Sequence, residues 1–178
     1  HNKCVVNILK STFETPKPYT IHLAVAPTKM NDRYEWFIEK ATEIGVNKIT
    51  PIICQNSERK IIKTERFEKI LQSAMKQSLH SYLPTLAPAT HFSEFIKTPQ
   101  EGTTFIAHCD EGNKLKFKDQ IKPGESITVL IGPEGDFSPQ EIETALKHGY
   151  IAVSLGASRL RTETAGIVAG HTIQLCNE

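Results

Sequence analysis

Short apolar runs alternate with amphipathic segments from about residue 19 to the end of the chain. The runs are rich in β-branched residues and predict strands, whereas apolar residues spaced by three and four positions predict helices between them. The predicted strands cover residues 21–26, 48–54, 86–90, 103–109, 126–131 and 150–155. The predicted helices cover residues 34–44, 67–79, a short segment opened by Ser93, 138–148 and 163–176.

Strands separated by helices require crossover connections. This order therefore predicts an α/β fold with a mostly parallel sheet and helices on both faces. Local signals support the helix ends, because Gly45 and Gly149 supply C-terminal stops. Ser138, Pro139 and Glu141 form the signature of a capping box at the start of the fourth helix.

Residues 1–18 do not follow the alternation. Their apolar residues between positions 5 and 9 allow one strand, and the Thr-Pro-Lys-Pro stretch at 15–18 is typical of a linker. We interpret residues 1–18 as the end of a unit that lies mostly outside the chain, and residues 19–178 as one domain.

Composition narrows the function only a little. The chain has 178 residues, 39% of them hydrophobic, which is enough to bury one main core. Its 21 basic and 20 acidic residues neither favour nor exclude nucleic acid, since a local basic patch can suffice. The four scattered cysteines predict neither a zinc site nor disulfides and fit a cytoplasmic protein, and no apolar stretch has membrane-spanning length. We predict no metal and no membrane.

Two glycine-containing loops, at residues 131–138 and 154–165, carry the candidate chemistry. Each follows a predicted strand and opens a helix, so both present backbone groups where open α/β sheets bind ligands. We therefore expect them to share one pocket. Neither loop matches a dinucleotide-binding or phosphate-binding motif. Glu134 and Asp136 would repel phosphates and suit a cationic ligand such as a sulfonium.

These loops also carry a resemblance to a known family. The pattern includes Gly-Pro-Glu-Gly at 132–135 and Leu-Arg-Thr-Glu-Thr at 160–164, preceded by matching stretches at 29–35, 40–46, 57–59 and 74–78. In this order the motifs resemble the ribosomal RNA small subunit methyltransferase E family, the uridine-N3 methyltransferases of the SPOUT superfamily. The resemblance extends over residues 19–178.

The resemblance implies several properties of the fold and its partners. It implies a deep trefoil knot in the C-terminal part of the chain, an exception to the rule that chains do not thread loops. It also implies S-adenosylmethionine bound in the knot, with S-adenosylhomocysteine as product, and a homodimer with the active site at the interface. The substrate would be ribosomal RNA of the small subunit or its assembling particle. Residues 1–18 would be the tail of an N-terminal PUA-like RNA-binding domain.

Candidate cofactor contacts come from the ends of three predicted strands and the loops that follow. Ala107 and His108 are included because the superfamily lines its pocket at this level, although a hydrogen-bonded histidine at a strand end is an equally good interpretation. The remaining candidates are Ile131, Gly132, Pro133, Glu134, Gly135, Ser154, Leu155, Gly156, Leu160, Arg161, Thr162, Thr164 and Ala165.

Three residues are candidates for catalysis. Methylation at uracil N3 requires loss of a proton whose pKa lies well above neutrality, or stabilisation of the anion, and Arg161 can supply fixed planar donors for that charge. Glu163 is better explained by helix-dipole complementarity than by proton abstraction. Glu134 has three possible roles: it holds a turn, pairs with Arg161 or acts near the uracil.

RNA contacts are predicted from basic and polar residues near the second predicted strand. For a charge run without a family match, a solvated helix face is the preferred interpretation. With the resemblance, an electrostatic footprint for RNA is favoured, and the target uridine must be unpaired or flipped out. The candidates are Arg59, Lys60, Lys63, Arg66, Lys76, Gln77 and Arg159.

Some positions depart from the family pattern. Asp136 replaces a frequent glycine and should restrict positive φ in the first loop. Ser158 and Arg159 shift the basic group by one residue.

Gly166 and Gly170 indicate close helix packing, in a knot or at a dimer seam. Two alternative functions stay open: another RNA target, such as a ribose 2′-OH or a tRNA base, and a non-catalytic RNA-binding fragment.

Overall fold

The computed structural model describes residues 3–110, 112 and 114–178. The strands in this part of the chain are β1 (Ile21–Val25), β2 (Lys48–Ile53), β3 (Thr85–Leu86), β4 (Thr90–His91), β5 (Thr103–Ala107), β6 (Leu115–Lys116), β7 (Ile127–Ile131) and β8 (Ile151–Ser154). The helices are α1 (Asn31–Ile44), α2 (Thr64–Gln77), α3 (Phe92–Phe95), α4 (Pro139–Lys147) and α5 (Thr162–Cys176), with a 3-10 helix at Phe117–Gln120.

The described strands form one sheet in the order β3-β2-β1-β7-β5-β8-β6, and β4 pairs with β2. All of these pairings are parallel, which confirms the predicted α/β sheet. The register places Ala107 beside both Ile131 and Val153. The carboxyl ends of β7, β5 and β8 therefore meet at one edge of the sheet, although the chain separates them widely.

Helices cover both faces of the sheet, as the sequence predicts. On one face α1, α2 and α5 contribute Phe37, Leu71 and Ile173 to the larger core cluster. On the other face α3 and α4 contribute Phe95 and Ile142 to a second cluster. The central strands are buried on both sides, which is why they appear in the sequence as continuous apolar runs.

The glycines of α5 pack inside the chain. A Cβ atom built on Gly166 would lie 2.5 Å from the Phe37 ring of α1. One built on Gly170 would lie 3.3 Å from side-chain atoms of Leu23 and Val46. The close packing predicted for this pair therefore joins α5 to side chains of α1, β1 and the segment between α1 and β2 of the same chain.

The helix ends follow the local signals. The Ser138 hydroxyl accepts a hydrogen bond from the Glu141 N–H at 3.3 Å, and the Glu141 carboxylate accepts one from the Ser138 N–H at 2.9 Å. This confirms the capping box, with Pro139 at the first helical position. Gly45 takes a left-handed φ of 88° at the end of α1. None of the described helices is long and apolar enough to cross a membrane.

Several sequence predictions were wrong in detail. Residues 5–9 form no strand, and their apolar side chains are exposed because no other segment pairs with them. The strand predicted at 86–90 is two short strands, β3 and β4, because Pro88 between them has no N–H for the ladder. The short helix begins at Phe92 and the last one at Thr162, while β6 and the 3-10 helix were not predicted. Residues 1 and 2 of the predicted N-terminal tail lie outside the described residues.

Candidate functional site

A cavity of about 620 Å³ opens at the carboxyl ends of β5, β7 and β8. Its size lies within the range of cofactor sites. All of the predicted cofactor contacts line it except Gly135 and Thr164. Residues that line it without having been predicted for the cofactor are Cys109, Lys114, Asp136, Val153, Ala157, Ser158 and Arg159.

One buried hydrogen bond joins the two glycine loops. The Thr162 hydroxyl, at the start of α5, donates to the carbonyl of Gly132 at the end of β7, with an O···O distance of 3.0 Å. Thr162 is buried, so water does not compete for this bond. The two loops are thus two walls of one cavity, as the sequence predicts.

The first wall, the loop of residues 132–138, is held from several sides. A Cβ on Gly132 would lie 3.1 Å from both the ring and the backbone nitrogen of Phe137, so the turn is tight. The Asn56 side-chain amide donates to the carbonyls of Gly135 and Asp136, at 3.1 Å each. Gly135 thus faces the loop that carries Asn56, which explains why it does not line the cavity.

Asp136 fastens this wall to the end of β5. Its φ of 60° lies in the left-handed region, so the expectation that an aspartate restricts positive φ here was wrong. Aspartate visits this region more readily than most residues because its short carboxylate can bond locally. One carboxylate oxygen accepts from the Phe137 N–H at 2.8 Å, and the other accepts from the Cys109 N–H at 2.6 Å.

Glu134 holds a turn, which is one of the three roles left open by the sequence. Its carboxylate accepts a hydrogen bond from the Lys29 N–H, in the loop between β1 and α1, at 2.8 Å. The ion pairs of the described residues include none between Glu134 and Arg161. Glu134 also lines the cavity and adds a negative charge to it.

His108 presents an unsatisfied polar atom at the cavity. Its Nδ1 is buried and has no hydrogen-bond partner within the described part of the chain. Burial, and then the positive charge of Lys114, lower the pKa of His108, so the imidazole is neutral at neutral pH. Lys114 is itself held by the carbonyls of His108 and Asp110, at 2.9 and 2.7 Å. A buried polar atom without a partner favours a ligand contact over the structural interpretation of this histidine.

The predicted catalytic residues on α5 lie in different environments. Arg161, at the N-cap of α5, is exposed, lines the cavity, and makes no side-chain hydrogen bond or ion pair with the rest of the described chain. Glu163 is only 7% exposed, does not line the cavity, and has one carboxylate oxygen without a described partner. The guanidinium is thus available to a substrate, whereas this geometry does not favour a catalytic role for Glu163.

The second wall, the loop of residues 156–161, is open. The burial pattern shows residues 156–159 and Arg161 exposed. Its side-chain hydrogen bonds are local ones between Ser154 and Gly156. Gly156 has a φ of 148°, and a Cβ there would meet no atom within 4 Å. This wall therefore presents Arg159 and Arg161 on an exposed loop.

The residues predicted to contact RNA divide into two groups. Arg59 donates to the backbone carbonyls of Thr28 and Lys29, and Arg66 forms a two-point ion pair with Glu35 at 2.7 Å. These two arginines thus have structural partners that the sequence did not reveal. The others are exposed and make no ion pair among the described residues: Lys60, Lys63, Lys76, Gln77 and Arg159.

The polar groups of the cavity carry both signs of charge. Glu134 and Asp136 lie on the first wall, and Arg159 and Arg161 on the second. Such a lining fits a zwitterionic ligand with a cationic centre, and the unsatisfied His108 nitrogen offers a further contact. The described residues include no group of three or more side chains suited to hold a metal ion.

Known proteins resemble this chain over most of its length. A family model described as RNA methyltransferase domain matches residues 15–174. Among curated proteins, ribosomal RNA small subunit methyltransferase E of Buchnera aphidicola is 29% identical over 98% of this chain and 73% of its own length. A counterpart from Rickettsia conorii is 30% identical over 89% of this chain and 67% of its length.

Solved structures are similar as well. A protein described as a probable rRNA-methyltransferase from Porphyromonas gingivalis is 45% identical, with a TM-score of 0.86 over 93% of this chain and 72% of the other. A ribosomal RNA small subunit methyltransferase E from Neisseria gonorrhoeae, crystallised with S-adenosylmethionine, is 32% identical, with a TM-score of 0.79 over 94% of this chain and 70% of the other.

Proposed function

The chain belongs to the ribosomal RNA small subunit methyltransferase E family, and we propose that it transfers a methyl group from S-adenosylmethionine to uridine N3 of small-subunit ribosomal RNA. The observation that carries the proposal is the cavity between the two glycine loops, which the Thr162–Gly132 hydrogen bond links. The guanidinium of Arg161 lines this cavity and has no partner among the described residues. The relative from Neisseria gonorrhoeae, crystallised with this cofactor, supports its choice.

Several residues that line the cavity can hold the cofactor. S-adenosylmethionine supplies an electrophilic methyl group on a sulfonium centre. The carboxylates of Glu134 and Asp136 offset positive charge in the cavity, while the Nδ1 of His108 is available for a polar contact. These residues hold and orient the ligand.

We assign the chemical step to Arg161, whose exposed guanidinium lines the cavity. Uracil N3 becomes nucleophilic when its proton passes to solvent water, and the resulting charge spreads onto the neighbouring carbonyl oxygens until N3 takes the methyl group and the S–CH3 bond breaks to leave S-adenosylhomocysteine. A guanidinium at the rim of the cavity stabilises that charge and lowers the barrier, because its donors are planar and fixed in direction. A free guanidinium can turn to the substrate without first breaking an internal ion pair.

The finer architecture is part of the same proposal. We infer a deep trefoil knot in the C-terminal part, supported by the strand order β1-β7-β5-β8, since the chain leaves β8 and crosses back to pack α5 against α1 and β1. We also infer a homodimer, supported by the exposed Leu175 on the mostly apolar α5, and a cytoplasmic location that follows from the RNA substrate. Residues 1–18 are proposed as the tail of an RNA-binding domain, anchored here where Lys17 Nζ donates to Gln174 Oε1 at 2.7 Å.

Product analysis tests the proposed reaction. The chain is incubated with small ribosomal subunits and cofactor labelled in the methyl group, and the modified nucleoside is identified by mass spectrometry. We expect 3-methyluridine in the small-subunit RNA. A 2′-O-methylated ribose or a labelled tRNA would replace the proposed target. Calorimetry with S-adenosylmethionine and S-adenosylhomocysteine is the control, because failure to bind either would contradict the methyltransferase proposal itself.

A further inference from the structure

A second cavity, of about 530 Å³, opens at the same edge of the sheet beside the end of β2. Its floor is apolar and comes from the buried side chains of Ile53, Phe92 and Ile96. Helices α3 and α4 form its sides. None of the residues assigned to the methyl-transfer step lies in it, so the cavity is separate from the candidate cofactor site. We call it the α3–α4 groove.

The rim of the α3–α4 groove is basic. It carries Lys60 from the loop after β2, Lys97 after α3, and the exposed histidines His91 and His148. Lys60 and Lys97 form no ion pair within the described part of the chain. Their charges are therefore not neutralised by a neighbouring carboxylate and are available to an anionic ligand.

The carboxylate in the lining, Glu141, is engaged with the backbone. One of its oxygens accepts from the Gln55 N–H at 2.8 Å and the other accepts from the Ser138 N–H at 2.9 Å. Two backbone donors offset part of its charge and hold it in place as the second half of the capping box. Lys60 and Lys97 thus give the lining two positive charges against the one negative charge of Glu141.

A single loop separates the groove from the cofactor cavity. Glu134 and Asp136 of the β7–α4 loop line the cavity, and Gln140 and Glu141, in the first turn of the helix that follows this loop, line the groove. Asn56, which follows the end of β2, bonds to this loop and keeps it in place. A strand that enters the cavity with one nucleotide can therefore continue into the groove with the next ones.

We propose that the α3–α4 groove binds the phosphate–ribose backbone of single-stranded RNA that flanks the target nucleotide. The proposal rests on the proposed function, because a target uridine in the cavity must be unpaired and its neighbours then lie along the adjacent surface. Charge complementarity selects this occupant: regularly spaced phosphates match separated, unpaired lysines above an apolar floor, while the carboxylate of Glu141 is held by two backbone donors.

The test compares a double variant, Lys60→Gln with Lys97→Gln, with a matched control that removes two lysines from the opposite edge of the sheet. Lys48→Gln with Lys122→Gln serves as control, because Lys48 begins β2, Lys122 precedes β7, and both are exposed. Affinity for a uridine-containing single-stranded RNA oligonucleotide is measured by fluorescence anisotropy across a series of salt concentrations. Cofactor affinity is measured in parallel.

The groove variant should bind the oligonucleotide roughly 25-fold more weakly at 0.1 M salt, and the slope of log affinity against log salt should fall by about 1.4, since each lost phosphate contact contributes about 0.7. The control and the cofactor affinity should not change. Equal effects in the groove and control variants would overturn the proposal, as would an unmodified chain without measurable affinity for RNA.

A cross-linking experiment locates the strand independently. An oligonucleotide with 4-thiouridine next to the target position should cross-link to the peptide that contains His91 and Lys97. Cross-links confined to other faces would contradict the groove assignment. If the groove variant loses RNA affinity while the unmodified chain methylates no ribosomal RNA, the groove stands and the proposed function fails. If methylation and RNA affinity both survive in the variant, only the groove is wrong.

Discussion

The two walls of the cofactor cavity are built in opposite ways. The first wall, residues 132–138, is bonded to four other parts of the chain: the loop after β1, the loop after β2, the end of β5 and the start of α5. The second wall, residues 156–161, is exposed apart from the half-buried Leu160, its side-chain hydrogen bonds stay local, and its link to the first wall is made by Thr162, the residue that follows it. A fixed wall pre-organises a ligand site, whereas an open one leaves its arginines free to meet the RNA.

The largest effect is expected on the open wall. Arg161→Ala should lower kcat for ribosomal RNA by about 100-fold or more, the range for removing one donor from a developing negative charge. Cofactor affinity should stay largely intact, because the guanidinium acts mainly on the charge that develops on the uracil. Single-turnover methylation and calorimetry separate the two. Ser158→Ala in the same loop is the control, and an equal loss of cofactor affinity in Arg161→Ala would assign this residue to the fixed site instead.

The next effect tests the rigidity of the first wall. Gly132→Val places a branched side chain against the Phe137 ring and should lower the free energy of unfolding by about 1–3 kcal/mol, with weakened cofactor binding. Ala157→Val on the exposed second wall should change neither quantity. Chemical denaturation and calorimetry measure both. Unaltered cofactor affinity in Gly132→Val would contradict a rigid first wall.

A buried histidine in the central sheet makes the free energy of unfolding depend on pH. His22 in β1 bonds to Thr50 of β2 at 2.8 Å and Thr128 of β7 at 3.3 Å. Burial, with a smaller effect from Lys48, lowers the pKa of His22 to about 3, against about 6.5 in the unfolded chain. The stabilisation from keeping His22 neutral is complete above about pH 6.5 and is lost as the pH falls.

A drop from pH 7 to pH 5 should lower the free energy of unfolding by about 2 kcal/mol through His22, because the unfolded chain takes up a proton that the folded chain excludes. Denaturation at both values, compared with His22→Gln, isolates the contribution, since the variant should lose less stability over the same interval. If the free energy of unfolding had the same pH dependence in both proteins, the fold would not lower the pKa of His22.

The smallest effect concerns the Asp136 clamp. Asp136→Gly keeps the left-handed φ of 60° accessible but removes the bonds to the Cys109 and Phe137 N–H groups, so it should raise KM for the cofactor by roughly tenfold, the equivalent of one charge-assisted hydrogen bond. Little change is expected in kcat. Asp136→Asn keeps an acceptor and should recover part of the loss. An unchanged KM in the glycine variant would mean that the first wall holds without this clamp.

Much of the fold and of the candidate site was predictable from local patterns. The two glycine loops, the capping box at Ser138 and the parallel sheet all follow from short segments of sequence, and most predicted cofactor residues do line the cavity. Lys114 and Cys109 were missed because their relevance depends on β5 lying beside β7 and β8. The structural partners of Arg59 and Arg66 were missed for the same reason, since Lys29 and Glu35 lie about thirty residues away.

By itself the sequence determined which segments become strands, helices and loops, because periodicity, capping and turn chemistry act over a few residues. Only the tertiary structure decided which loop ends meet. The sheet places β7 between β1 and β5, against the order of the chain, and this brings Gly132 to Thr162 and Asp136 to Cys109. The contrast between a fixed wall and an open wall comes from these long-range bonds, which no local pattern encodes.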